Sequence, residues 1–150
     1  MNSIKIWMLF LIVLSCFQIS HAQQTIRFRG SDGWGVNSRY EQLFNVNLPH
    51  YLTGTVTSID TVTPMPDMSY GIKLVVNCGF EEHDVHLGPA WYILFQDMNI
   101  NIKDDVEVRG TRVSTGGKVF IMTSTLRKDD RILLLRDEDG IPFWCAWRRR

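Results

Sequence analysis

Apolar and polar residues alternate along much of the chain after about residue 50, which is the pattern of strands that bury one face. β-Branched side chains are frequent in these stretches and suit a pleated sheet. Proline and glycine separate the stretches from one another. The pattern predicts six strands, at Tyr51–Val62, Ile72–Val76, Asp84–Leu87, Val106–Gly110, Val119–Met122 and Ile132–Leu135.

One segment has helical spacing instead. Trp91, Leu94, Phe95 and Met98 fall at positions i, i+3, i+4 and i+7, the stripe of a helix that covers a core. Pro89 suits the first helical position, because the N–H that it lacks would be unpaired there. We therefore expect one helix between the third and fourth strands, with Trp91 and Phe95 closing one end of a barrel.

The order of these elements predicts the fold. Three strands, a helix and two strands within about 85 residues match the OB-fold, a small Greek-key barrel. Long helices do not alternate with the strands, which argues against a doubly wound α/β sheet. The expected fold class is all-β: a small five-stranded OB-fold-like barrel with one helix between strands 3 and 4, followed by one more short strand.

The first 22 residues have the pattern of a secretory signal. Lys5 precedes the apolar run Ile6–Leu14, and Ser20 and Ala22 place small residues before Gln23. Nine apolar residues are too few to cross a bilayer, which takes about 20. We expect cleavage near Ala22 and a periplasmic or secreted protein, with lipidation of Cys16 as the alternative.

The remaining chain divides into three parts. Residues 23–50 predict a polar leader that packs on the domain, with a capping-box turn at Ser38–Glu41. Residues 51–144 form the predicted barrel domain. Residues 145–150 form a basic tail, and Trp144, Trp147 and Arg148–Arg150 suggest contact with an anionic membrane surface.

Charge argues against a nucleic-acid partner. The chain has 16 basic and 16 acidic residues, and removing Lys5 with the signal leaves 15 basic residues and a net charge of −1. Non-specific nucleic-acid affinity depends on a basic excess. A nucleic-acid-binding OB-fold is therefore the third hypothesis, and its base-stacking side chains would be Trp34, Tyr40, Tyr51, Tyr70, Phe80 and Phe120.

Glu81–His86 contains the densest group of potential metal ligands. In a strand, His83 and His86 fall on opposite faces, and no third ligand follows at a recognised spacing. A periplasmic metal-handling protein using His83 and His86 is the alternative function. The other interpretation is a charged turn beside an exposed strand edge.

The cysteines of the exported chain are Cys78 and Cys145. A single disulfide between them and two separate thiols both remain open, because the sequence does not give their separation. The sequence has no Cys-x-x-Cys-His string for attaching haem, and we expect no cofactor. It also has no Gly-x-Ser-x-Gly or His-Glu-x-x-His motif, and we expect a protein that is not an enzyme.

Several strings together resemble one known family. They are Gly33-Trp34-Gly35 with Tyr40, Leu52–Val56, Val85–Tyr92, Asp105–Gly110 and Leu135–Trp144. They are similar to the magnetosome MamS/MamX-type domain proteins, and the run from His86 to Trp91 is the most specific. The resemblance runs from about Gly33 to Trp144, most of the exported chain, and implies an exported bacterial OB-fold.

These observations predict an exported, non-enzymatic OB-fold binding module of the bacterial cell envelope. Its partner would be an envelope protein or a small ligand. Ligand contacts are predicted at the corner after the third strand, through His86, Trp91 and Tyr92, and in the leader, through Trp34. For His86 the other interpretation is a structural imidazole that hydrogen-bonds the loop backbone.

Overall fold

The computed structural model describes residues 32–146. Its strands are β1 (Pro49–Val62), β2 (Gly71–Asn77), β3 (Glu82–Pro89), β4 (Asp105–Thr115), β5 (Lys118–Lys128) and β6 (Arg131–Leu134). Its helical segments are a 3-10 turn (Glu41–Leu43), α1 (Ala90–Ile93) and α2 (Phe143–Ala146). The predicted signal sequence and Trp147–Arg150 lie outside the described residues. No helix within residues 32–146 has the length and apolar character needed to span a membrane.

Five strands close into a barrel. The first half of β1 pairs with β4 and its second half with β2, and Thr55 is in register with a residue of each partner. β2 pairs with β3, and β4 pairs with β5. Parallel pairing of Val85 with Ile121 and of His86 with Met122 joins β3 to β5 and closes the ring. This ring confirms the predicted OB-fold-like barrel.

β6 lies outside the ring and extends the sheet beside the second half of β5. It is the additional short strand that the sequence predicts. The β4–β5 hairpin also forms at the predicted position, with Gly116 and Gly117 as its turn. Both have positive φ, 56° and 74°, which glycine adopts without a Cβ clash.

The predicted helix is much shorter than its apolar stripe. α1 ends at Ile93 after a single turn, and the next residues make tighter bonds, with the Gln96 N–H donating to the Ile93 carbonyl. Leu94 and Phe95 are 67% and 74% exposed, so Phe95 does not close the barrel. Met98 and Ile100 contact the core from the connection to β4 and do not lie on a continued face of α1.

β3 and β5 are buried on both faces where they pair with each other. Val85 and Ile121 face the interior and are at most 1% exposed. His86 and Met122, on the opposite face, are buried as well. Residues 34–44 and 135–144 form a second layer over that face, through Trp34, Tyr40, Leu135 and Trp144.

Candidate functional site

The leader is held against the barrel by tryptophan contacts. The Trp34 indole N–H donates to the Ser69 carbonyl at 3.0 Å, and the Trp144 indole N–H donates to the Trp34 carbonyl at 2.8 Å. A Cβ at Gly71 would lie 2.6 Å from the Trp34 ring, so the close approach of that ring requires glycine at position 71. The leader and the C-terminal segment therefore bind each other as well as the barrel.

His86 is a structural imidazole on the face of β3 that the second layer covers. A 2.9 Å hydrogen bond joins its Nδ1 to the Tyr40 hydroxyl, and its ring stacks on Phe120 with centroids 4.2 Å apart. Burial lowers the pKa of His86 to about 4, although the charge of Asp84 opposes the shift. The partner is thus the side chain of Tyr40, which corrects the expected bond to the loop backbone.

The other predicted contact residues also lie in or against the core. Trp34 and Tyr92 are buried, and Trp91 is half-buried. The Trp91 indole nitrogen is buried and has no hydrogen-bond partner among the described residues. Trp34 packs on Gly71, and the rings of Trp34 and Tyr92 both contact Trp144, so neither side chain is exposed in this structure. Ligand binding through these residues stays a prediction.

His83 and His86 do not converge. His83 Nε2 lies 3.5 Å from a Glu81 carboxylate oxygen, while His86 faces the other side of β3 and bonds Tyr40. Within residues 32–146, no three His, Cys, Asp or Glu side chains are grouped so as to hold a metal ion. The structure therefore adds no third ligand to the predicted pair.

Cys78 and Cys145 are not joined by a disulfide. Cys78 follows the last residue of β2, whereas Cys145 Sγ lies 3.8 Å from the carbonyl of Trp34, which packs on Gly71 at the first residue of β2. At about 3.3 Å per residue, β2 separates the two ends by roughly 20 Å. The two thiols therefore lie toward opposite ends of β2, and both are free in this structure.

Several of the aromatic residues proposed as contact surfaces are buried. Among the six suggested for base stacking, Trp34, Tyr40 and Phe120 are at most 7% exposed, whereas Tyr51, Tyr70 and Phe80 are exposed. Trp144, suggested for membrane contact, is 1% exposed. Trp147 and the arginines of the tail lie outside the described residues.

A buried ion pair, absent from the sequence-based predictions, ties the leader to the C-terminal segment. Arg136 donates from Nε and Nη2 to the Glu41 carboxylate at 3.0–3.1 Å, and from Nη1 to the Thr123 carbonyl. The guanidinium carbon lies 4.9 Å from the Phe44 ring centroid and 5.0 Å from that of Trp144. Burial raises the pKa of the Glu41 carboxyl, while the Arg136 charge opposes that shift.

Glu41, the acidic partner of this ion pair, belongs to the predicted capping-box turn. The Glu41 N–H donates to Ser38 Oγ at 3.1 Å, as a capping box predicts. The Glu41 carboxylate, however, binds Arg136 and not the backbone of Ser38. The sequence therefore predicted the turn, but it did not predict that Glu41 pairs with Arg136, 95 residues away.

A groove of about 320 Å³ lies over this ion pair. Residues 44–49 form one wall, residues 134–143 form another, and β4 and β5 lie between them. The apolar side chains on its walls are partly exposed: Val46 by 42%, Leu134 by 53% and Phe143 by 37%. We call this the Arg109 groove; it is lined by Phe44, Asn45, Val46, Pro49, Arg109, Gly110, Thr111, Ser124, Thr125, Leu134, Arg136, Asp137, Glu138 and Phe143.

Arg109 gives this groove an exposed cation. Its guanidinium carbon lies 5.9 Å from the centroid of the Tyr51 ring. Glu138, on another wall, is exposed as well. A second cleft of about 320 Å³ lies between α1 and the β1–β2 pair, but no charged side chain lines it. The Arg109 groove therefore combines apolar surface with both signs of charge.

Comparison with known proteins identifies the family. A model described as the MamS/MamX magnetosome protein family matches residues 49–133, more than half of the chain. The chain belongs to this family. The match confirms the resemblance and covers the barrel and most of β6, whereas the outer walls of the Arg109 groove lie largely beyond it.

Other comparisons add less. No curated protein matches this MamS/MamX family member. Among solved structures, it is similar to a chain in the crystal structure of the S. pombe Stn1–Ten1 complex. The two chains are 16% identical, the TM-score is 0.44, and the match covers 68% of this chain and 67% of that one.

Proposed function

We propose that this protein is an exported, non-enzymatic binding module of the bacterial cell envelope, with a role like that of magnetosome proteins. Its partner is an envelope protein or a small ligand. The single observation that carries the proposal is the Arg109 groove, where exposed apolar side chains surround a cation on a closed barrel.

The composition of the groove suits binding. Val46, Leu134 and Phe143 offer apolar surface whose burial contributes about 25 cal/mol for each Å² removed from water. Arg109 adds a charge that selects and orients a partner. The Glu41–Arg136 pair beneath the groove ties its walls together, and a preformed site loses less entropy on binding.

The described geometry favours neither alternative function. For metal handling, His83 and His86 lie on opposite faces of β3 and His86 is occupied by Tyr40. For nucleic-acid binding, three of the six proposed stacking residues are covered, and Arg127 and Lys128 are paired with Glu107 and Asp104.

Site-specific photocrosslinking in living cells tests the groove. A photoreactive residue replaces Val46 on the groove wall, and the control places it at Thr61, an exposed position near the far end of β1. We expect a discrete adduct from position 46 and none from position 61. Native mass spectrometry of the protein from the envelope fraction tests for a small ligand.

The same crosslinking pattern at both positions, together with a native mass equal to that of the chain alone, would contradict the proposed function. An adduct that forms only at position 46 supports a protein partner. An added mass that disappears when Arg109 is replaced by alanine supports a small ligand in the groove.

A further inference from the structure

An unpaired strand edge lies beside the Arg109 groove. β6 pairs with β5 along one edge, with Lys128 opposite Arg131 across a two-residue turn. The Leu135 N–H donates to the Ser124 carbonyl at 2.8 Å, so by alternation the backbone N–H and C=O of Ile132 and Leu134 point away from β5. No strand within the described residues pairs with the outer edge of β6 itself. Directly after β6, Arg136 bridges to Pro142 and the Phe143 N–H donates to the Leu135 carbonyl, so the free edge ends at Leu134.

The side chains of this edge are apolar and exposed. Ile132 and Leu134 lie on the same face of β6 and are 59% and 53% exposed. Leu134 also lines the Arg109 groove, near Val46 and Phe143. A strand added to the edge would place every second side chain on the face of Ile132 and Leu134, and the one opposite Leu134 would lie over the groove.

Acidic side chains lie at both ends of the edge. Asp129 and Asp130 directly precede β6, and Glu138 and Asp139 lie in the turn after it that the Arg136–Pro142 bridge closes. All four are exposed and have no ion-pair partner among the described residues. Arg131 is the exposed cation within β6 itself. Arg136 does not offset the acidic ends, because it is buried against Glu41.

We propose that β6 is a docking edge for an extended segment of a partner protein, which adds to the sheet as a further strand. The segment carries alternating apolar residues in its centre and basic residues at both ends. This inference rests on the proposed function and names the class of partner that the groove takes. Backbone hydrogen bonds would supply affinity, and the side chain over the groove would supply specificity.

The charges also argue against a second copy of this chain at the edge. Antiparallel pairing of two β6 strands would bring Asp129 and Asp130 of one copy toward Glu138 and Asp139 of the other. Like charges facing each other disfavour that pairing. A segment with basic ends meets the opposite charge at both ends of the edge.

A synthetic peptide, acetyl-RKVTVTKR-amide, serves as the probe, with binding to the full chain measured by fluorescence anisotropy. We expect saturable binding that weakens as salt rises. Methylating the two backbone nitrogens that would face β6 should weaken binding at least about tenfold, because it removes two donors. The acid-ended peptide acetyl-EEVTVTEE-amide should not bind.

Variants of the chain complete the test. The double variant Ile132→Thr/Leu134→Thr keeps β-compatible residues and should weaken peptide binding about tenfold, through lost apolar contact. The control Val119→Thr changes an exposed valine of β5 outside the β5–β6 pairing and should bind like the wild type. Thermal midpoints verify that all variants fold.

Equal binding by the methylated and unmethylated peptides, or equal weakening by the β6 and Val119 variants, would overturn the docking edge. The photocrosslinking at position 46 separates this failure from that of the proposed function. A specific adduct at position 46 without edge-dependent peptide binding leaves the groove as the site and removes β6 from it.

Discussion

At the scale of single residues, two buried polar contacts join the barrel to the segments that cover it. One is the Tyr40–His86 hydrogen bond, and the other is the Glu41–Arg136 ion pair. Burial raises the pKa of Tyr40 and lowers that of His86 to about 4, so the first contact is between neutral groups at neutral pH. Because a buried polar group needs a hydrogen-bond partner, each contact favours one position of the covering layer on the barrel.

His86 should make the protein lose stability in acid. Its pKa is 6.5 when unfolded and about 4 when folded, so the unfolded chain binds more protons between these values. Lowering the pH through this range therefore favours unfolding, by up to about 3 kcal/mol in total. Urea denaturation of the wild type between pH 7 and pH 4 measures the loss.

The variant His86→Gln should be less stable at pH 7, by about 1–3 kcal/mol, and should lose this part of the acid dependence. The matched control is His83→Gln, which changes the other histidine of β3 and should retain the acid loss caused by His86. If His86→Gln unfolds with the same pH dependence as the wild type, His86 does not carry the effect.

At the scale of elements, the barrel carries a partial outer layer made by the leader and the C-terminal segment. These elements contain little regular structure: a 3-10 turn in the first and α2 in the second. They hold their position through large aromatic side chains, with the Trp34 and Trp144 rings packed edge to face at 6.3 Å. Glycines on the barrel leave space for both rings, because a Cβ at Gly88 would lie 2.7 Å from Trp144.

Gly71→Ala should loosen the leader from the barrel. The new methyl would lie 2.6 Å from both the Trp34 ring and the Gly88 carbonyl oxygen, so one of them must move. We expect a loss of about 1–3 kcal/mol in unfolding free energy and a change in near-UV circular dichroism from Trp34. Ser114→Ala, at an exposed position of β4, is the control and should leave both measurements unchanged. A Gly71→Ala protein with wild-type stability and spectrum would show that Trp34 does not pack tightly there.

At the scale of the whole molecule, the family match and the candidate site overlap only in part. The matched region, residues 49–133, forms the ring and most of β6. The leader and residues 134–146 supply the covering layer and two walls of the Arg109 groove. The barrel is thus the part that the family model matches, and the segments on either side of it supply most of the groove's walls.

Export remains a prediction at this scale. We expect signal cleavage after Ala22, giving a mature chain that begins at Gln23, because small residues precede that bond. Intact-mass analysis of the protein from the periplasmic or culture fraction measures the N-terminus. A mass that includes residues 1–22, or one that carries lipid on Cys16, would contradict the expected processing.

The sequence by itself determined the strands, their order and the barrel. Alternation and turn residues are local signals, so the strand at Val106–Gly110 and the turn at Gly116-Gly117 could be predicted without knowing their partners. The length of α1 could not be predicted in this way. The stripe from Trp91 to Met98 does not reveal where the chain must leave the helix to reach β4.

Only the tertiary structure decided which surfaces remain available. His86 meets Tyr40 across 46 positions of sequence, and Arg136 meets Glu41 across 95. Residue periodicity gives the face of a strand but not what covers that face, so the sequence left His86 open between a ligand contact and a structural imidazole. The Arg109 groove arises from segments that are distant in the chain, and for this reason the site depends on packing that no local pattern encodes.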